Sequence, residues 1–268
     1  MKARQMLSIL TILTICLFAN AQEKYHCSYD ECGFEPGEMV YLFGDDVKLR
    51  TAPTTESEVI KILNIGTELT VLEKTENSWP YRGIESNFYK VDYKGTTGYV
   101  LGGLLSLERK QLYGKTHLFG YAKNGELEYL YIRTLKPDGS FGEKSVRLSH
   151  GNLALKTMDN RGLNGVDGIL YIDYLAEACG VEGGGIYLFQ QDDELKQVAR
   201  LSQVSEAGVF YHAEEFIFPH DQGGMPGKVL LKKEQGENLD ETSNHIKRSV
   251  ETRELVWADG RLTPDPKS

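Results

Sequence analysis

Basic residues are scarce in this 268-residue chain: 30 Lys and Arg stand against 39 Asp and Glu, for a formal charge of −9. That balance leaves no clustered cations to meet phosphates, which excludes a nucleic-acid-binding surface and a polybasic membrane patch. Long apolar runs are missing too. The longest, residues 6–18, falls short of the roughly 20 residues that a hydrocarbon core requires. No G-x-S-x-G elbow, P-loop or G-x-G-x-x-G opening a helix occurs, so the common nucleotide and serine-hydrolase signatures are absent. What remains is 40% hydrophobic and 26% charged, an ordinary globular composition, long enough for one large domain or two small ones.

The amino terminus reads as an address. Lys2 and Arg4 precede the apolar run, and Ala19 and Ala21 supply small residues before Gln22. The pattern predicts a signal peptide over residues 1–21 and an exported chain, periplasmic or secreted, without stable membrane insertion after cleavage. Ile15 and His26, the residues before Cys16 and Cys27, are too large for a lipoprotein site. A polar segment follows over residues 22–36. It holds Cys27 and Cys32, and an oxidising compartment makes a local disulfide between them the simplest reading. Pairing of either with Cys179 stays open, because spacing does not define connectivity. Three scattered cysteines make a poor zinc site, and neither metal nor cofactor is expected.

Residues 37–107 read as short strands between turns. Residues 47–50 lead into Ala52-Pro53, where proline removes a ladder donor. Residues 58–63 close on Asn64-Ile65-Gly66, and residues 67–72 alternate polar with apolar. Residues 88–93 and 99–101 are joined through Gly95 and Gly98. So many short strands in so few residues predict a small closed barrel.

Four segments carry a resemblance: Leu49-Arg50-Thr51-Ala52-Pro53, Ile65-Gly66-Thr67, Phe88-Tyr89-Lys90-Val91, and Gly95-Thr96-Thr97-Gly98-Tyr99-Val100. In this order and spacing the segment resembles the bacterial SH3 family, with Phe88 and Tyr99 where tryptophan is usual and an insertion over residues 75–87. The resemblance implies an SH3-like barrel that recognises peptidoglycan or another envelope ligand, peptide or protein. Alternation puts Tyr89, Val91 and Tyr93 on one face and Phe88 and Lys90 on the other. As Val91 is the family's core position, Phe88 should point away from the core. Phe88, Tyr99 and the inserted Trp79 then either line an apolar ligand groove or cap the barrel.

Residues 110–268 read as a β-rich domain of unassigned family. Asn124-Gly125 between two apolar stretches is a strong hairpin signal, and Pro137-Asp138-Gly139 marks another turn. Strands are expected near residues 144–148, 153–158, 168–174, 185–190, 195–201, 209–218, 228–233 and 246–257. Turns every eight to twelve residues favour an antiparallel meander in a sandwich or open barrel. A short helix near residues 174–178 would end at Gly180. Residues 232–248, polar and charged, read as a mobile hairpin loop.

Two constellations suggest chemistry. Cys179 with Gly183-Gly184-Gly185 and the downstream His212 sketches a Cys/His hydrolase, but Gly180 follows the cysteine where a nucleophile's helix should begin. His212, Glu214, His220 and Asp221 sketch a divalent-metal site. Phe210, Phe216 and Phe218 share that face by alternation, which makes His212 a rim histidine. Adjacent acids such as Asp192-Asp193 point to opposite faces of a strand. The sequence therefore reads as an all-β, exported envelope-binding protein with no catalytic residue assigned. A wall hydrolase anchored by its SH3-like module is the main alternative, and a structural or inhibitor-like envelope protein is the other.

Overall fold

A computed structural model describes residues 25–26, 33–176, 179–206, 209–238 and 246–267. The segment expected to be a signal peptide, and Cys27 and Cys32, expected to pair, lie outside the described residues. Among the described residues every regular element is a strand apart from one 3₁₀ turn, and every pairing is antiparallel.

The first strand, β1 (Tyr25–His26), pairs with a strand far along the chain. The barrel module comprises β2 (Met39–Tyr41), β3 (Val47–Arg50), β4 (Val59–Leu63), β5 (Glu68–Tyr81), β6 (Ile84–Tyr93) and β7 (Thr96–Leu101), followed by the 3₁₀ turn Gly102–Leu104. Its sheet runs β2-β5-β6-β7-β3-β4. Val40 at one end of that order and Leu63 at the other share one core with Leu49, Val71, Tyr89 and Val91, so the sheet curls until its two edges meet over the same residues. Alternation drives this: Val47 and Leu49 are buried while Lys48 faces water. The insertion at residues 75–87 lengthens the β5–β6 hairpin rather than forming a loop.

The second region opens with β8 (Arg109–Leu112), β9 (Lys115–Asn124), β10 (Leu127–Leu135) and β11 (Phe141–Leu148), a four-stranded sheet ordered β11-β10-β9-β8. Asn124 pairs with Leu127 across a two-residue turn in which Gly125 has φ +60°, a conformation that glycine adopts cheaply. The remaining strands form a simple meander: β12 (Leu153–Met158), β13 (Gly168–Tyr174), β14 (Gly183–Gln191), β15 (Glu194–Glu206), β16 (Phe210–Ile217), β17 (Val229–Asn238), β18 (Ile246–Ala258) and β19 (Arg261–Thr263). With β1 on the β12 edge they make nine strands.

β13 and β14 are buried on both faces. Leu170, Ile172, Ile186 and Leu188 join Phe119, Ile132 and Val146 of the four-stranded sheet in one core. Ile169 and Phe189 turn the other way, into a second core with Phe216, Val229, Leu231 and Leu255 from the far end of the meander. The four-stranded sheet thus covers one side of β12–β14, and the meander curls over the other.

Two expectations need correction. Tyr174 closes β13, opposite Leu153 and Gly184 and 4% exposed, so burial in the sheet displaces a helix at Tyr174; Leu175 continues by donating its amide to the Asn152 carbonyl. Residues 177–178 lie outside the described residues. The charged tract at residues 232–248 is strand through Asn238 and again from Ile246, with residues 239–245 outside the described set. Its charges pair across strands: Lys232 with Glu215 at 2.7 Å, Lys233 with Glu214 at 2.9 Å and Arg248 with Glu234 at 2.7 Å. Opposite charges on facing strands suit a solvated ladder as well as apolar pairs suit a core.

Candidate functional site

The outward row of the barrel module is built on β6. Ser86, Phe88 and Lys90 alternate along one face, opposite the core residues Tyr89 and Val91. Trp79 pairs with Ser86, Leu101 with Phe88, and Tyr99 with both Lys90 and Arg50. The three aromatic residues singled out by sequence therefore share one face, with Phe88 between Trp79 and Tyr99.

Their exposures differ. Trp79 is 48% exposed, Tyr99 is half-buried, and Phe88 is 2% exposed beside the buried Leu101. Phe88 is an interior residue and lines no open groove. Alternation placed it on the correct face, but that face is covered. The 3₁₀ turn folds back onto the row, where the Gly103 amide donates to Ser86 Oγ at 2.6 Å. What remains accessible is Tyr99 between the cationic side chains of Arg50 and Lys90, with Trp79 separate from it. Arg50 is held in place by donating from Nη1 to the Ser57 carbonyl at 2.7 Å.

The far end of the β5–β6 hairpin is engaged by the second region. The Lys123 amide in β9 donates to the Arg82 carbonyl at 2.9 Å. Arg82 lies over the rings of Tyr131 (4.5 Å) and Phe43 (5.3 Å), and its guanidinium is 3.6 Å from Glu143. Arg133 in β10 completes the junction: Nε donates to Glu143 at 2.7 Å, Nη1 donates to the Phe43 carbonyl at 2.7 Å, and the plane covers Phe43 and Phe141. Arginine suits such a place, since its planar fork hydrogen-bonds and stacks at once. Leu107 and Phe119 extend the contact through a 2.9 Å backbone bond, and Ser106 Oγ accepts from the Phe119 amide at 2.7 Å. None of this is local in sequence.

The other sequence candidates are dispersed. Cys179 is an exposed free thiol in the turn where the Gly180 amide reaches the Ser205 carbonyl. His212 Nε2 lies 3.8 Å from Glu214. Glu214 in turn accepts from Lys233 and from the Ser202 amide; burial pushes its carboxyl up, and these bonds outweigh that and leave it below the usual range. Asp221 is paired with Arg161 and caps the Phe218 amide. Glu214 and Asp221, two of the four metal candidates, are thus each committed to protein partners. Among the described residues no helix is long and apolar enough to cross a membrane, and no group of three or more His, Cys, Asp and Glu is arranged to hold a metal.

One buried pair escaped the sequence reading. His26 Nε2 meets Glu108 at 2.7 Å, and Lys110 pairs with the same carboxyl at 2.5 Å. Burial raises the Glu108 carboxyl's proton affinity, but these two partners more than offset it and leave it below its ordinary value. The contact ties β1 to the segment that joins the two regions.

No curated protein and no solved structure matches the chain. Residues 45–106, the segment that carries β3 to β7 and the 3₁₀ turn, match the family model of the bacterial SH3 domain.

Proposed function

We propose that the chain is an exported protein that binds the bacterial envelope, peptidoglycan or an envelope peptide, through its SH3 module and catalyses no reaction. The match of residues 45–106 to the bacterial SH3 family carries the reading, because such domains commonly bind peptidoglycan. The presentation of Tyr99 between Arg50 and Lys90 supports it. An aromatic ring offers a flat apolar face to a sugar or side chain, and flanking cations suit carboxylates. The amino-terminal signal pattern is the ground for export.

A second reading draws on the junction at Arg82 and Arg133: the module is a structural element of a larger fold. Co-sedimentation of residues 22–268 with purified sacculi, with soluble fragments monitored, separates the two. Binding without release, lost in Tyr99→Ala, supports the proposal. Absence of binding favours the structural reading, and release of fragments overturns the non-catalytic assignment.

A further inference from the structure

At one end of the second region the two sheets part around a cleft of about 940 Å³, large enough for a small organic ligand. Three turns frame it: β8–β9, β10–β11 and β14–β15. The inward row of β11 reads Leu148, Val146, Lys144, Gly142. The first two are core residues, 4% and 1% exposed. Lys144 takes the next inward position, opposite Ile132, and Gly142 the one after, opposite Thr134. A row that begins as core ends as a cation lining the cleft.

The charges there are unequal in availability. Glu143 is held by Arg133 at 2.7 Å, Asp193 by Lys115 at 2.5 Å, and Asp138 accepts twice from Ser140 at 2.9 and 2.7 Å. Glu194 is exposed at the rim. Lys136, exposed, has the carboxylates of Asp138 and Asp193 near its charge, whereas the half-buried Lys144 lines the cleft with no side-chain ion-pair or hydrogen-bond partner among the described residues. Beneath them lie the apolar side chains of Ile132 and Leu195. A half-buried ammonium with no counter-ion beside an apolar floor is satisfied by an anion that brings its own apolar body.

We propose that this cleft binds a small amphiphilic carboxylic acid, its carboxylate on Lys144 and its apolar body over Ile132 and Leu195. The assignment is independent of wall binding by the SH3 module.

Gly142 supplies a clean test. A Cβ there meets nothing within 4 Å and its φ lies outside the left-handed region, so Gly142→Leu fills the cleft without straining the strand. The full chain is titrated with the fluorescent anion 1-anilinonaphthalene-8-sulfonate, then with dodecanoate, dodecanol and inorganic phosphate as competitors. The expected result is one saturable site from which dodecanoate displaces the dye and phosphate does not. Lys144→Met should weaken dodecanoate about tenfold, the worth of one charge-assisted contact. Gly142→Leu should abolish dye binding with an unchanged circular dichroism spectrum. Equal competition by dodecanol and dodecanoate, displacement by phosphate alone, absence of dye binding, or indifference to both variants would each overturn the proposal.

Discussion

The carbonyl of Arg82 and the amide of Lys123 are joined by a 2.9 Å hydrogen bond, and this bond links the hairpin of the SH3 module to a strand of the second region. Two arginines flank it, stacked on rings that both regions contribute. An SH3 domain carried as a tethered adaptor would sit on a flexible linker and share few contacts with its neighbour. Here the extended β5–β6 hairpin forms a fixed junction, so the module presents Tyr99 in a set orientation relative to the rest of the molecule.

Gly83 is the weak point of that junction. It has φ +76°, and a Cβ there would collide with the Lys123 carbonyl oxygen. Gly95 is the control: φ +84° with nothing within 4 Å. Both alanine variants carry the left-handed penalty of about 1 kcal/mol. Gly83→Ala should cost measurably more in urea unfolding, and the Lys123 amide should lose protection from hydrogen exchange in that variant alone. Equal costs would remove the junction from the stability of the fold.

Phe88 and Tyr99 should separate core from surface. Phe88→Ala empties a position that is 2% exposed and is expected to cost about 3–5 kcal/mol. Tyr99→Ala removes a half-buried ring, at about 1 kcal/mol, while abolishing binding to sacculi. Thermal unfolding of the two variants, run beside the sedimentation assay, reads both effects.

His117 predicts an acid sensitivity. Its ring is fully buried, Nδ1 lies 3.0 Å from Thr134 Oγ1, and Nε2 has no hydrogen-bond partner among the described residues. Burial, reinforced by the charge of Lys115, pushes the imidazole down to about 4. The unfolded chain, titrating near 6.5, therefore binds the proton first as pH falls. Stability is full above about pH 6.5 and declines toward pH 4, by up to about 3 kcal/mol. Urea midpoints at pH 7, 5.5 and 4.5 should fall for the wild-type chain and should lose that slope in His117→Leu. Glu108, held below its ordinary range by His26 and Lys110, acts in the same direction, with its contribution lost at lower pH.

Much of the strand plan was legible because its signals are local. Residues 153–158 and 168–174 are strands with the bounds expected of them, and the hairpin expected at Asn124-Gly125 forms there, with Asn124 paired in its strand and Gly125 and Glu126 as the turn. Phe88 shows where locality ends. Alternation assigns a side chain to a face, but not whether another layer, here the 3₁₀ turn Gly102–Leu104, covers that face. The tract from Lys232 to Arg248 misled for a related reason, since its charges look like loop until Glu214, Glu215 and Glu234 are seen across the ladder. The junction and the cleft are assembled from separate turns and leave no motif.

If the SH3 module and the second region form one unit, both regions unfold together, and each of the two tryptophans reports on one of them. Trp79 lies in β5 of the module and Trp257 in β18. Urea unfolding of Trp79→Phe and Trp257→Phe, each followed by the fluorescence of the remaining tryptophan, reports on one region at a time. Coincident midpoints and slopes are the expected result. A transition at Trp79 that completes before Trp257 begins to change would show a module that folds by itself, and would rule out a single unit.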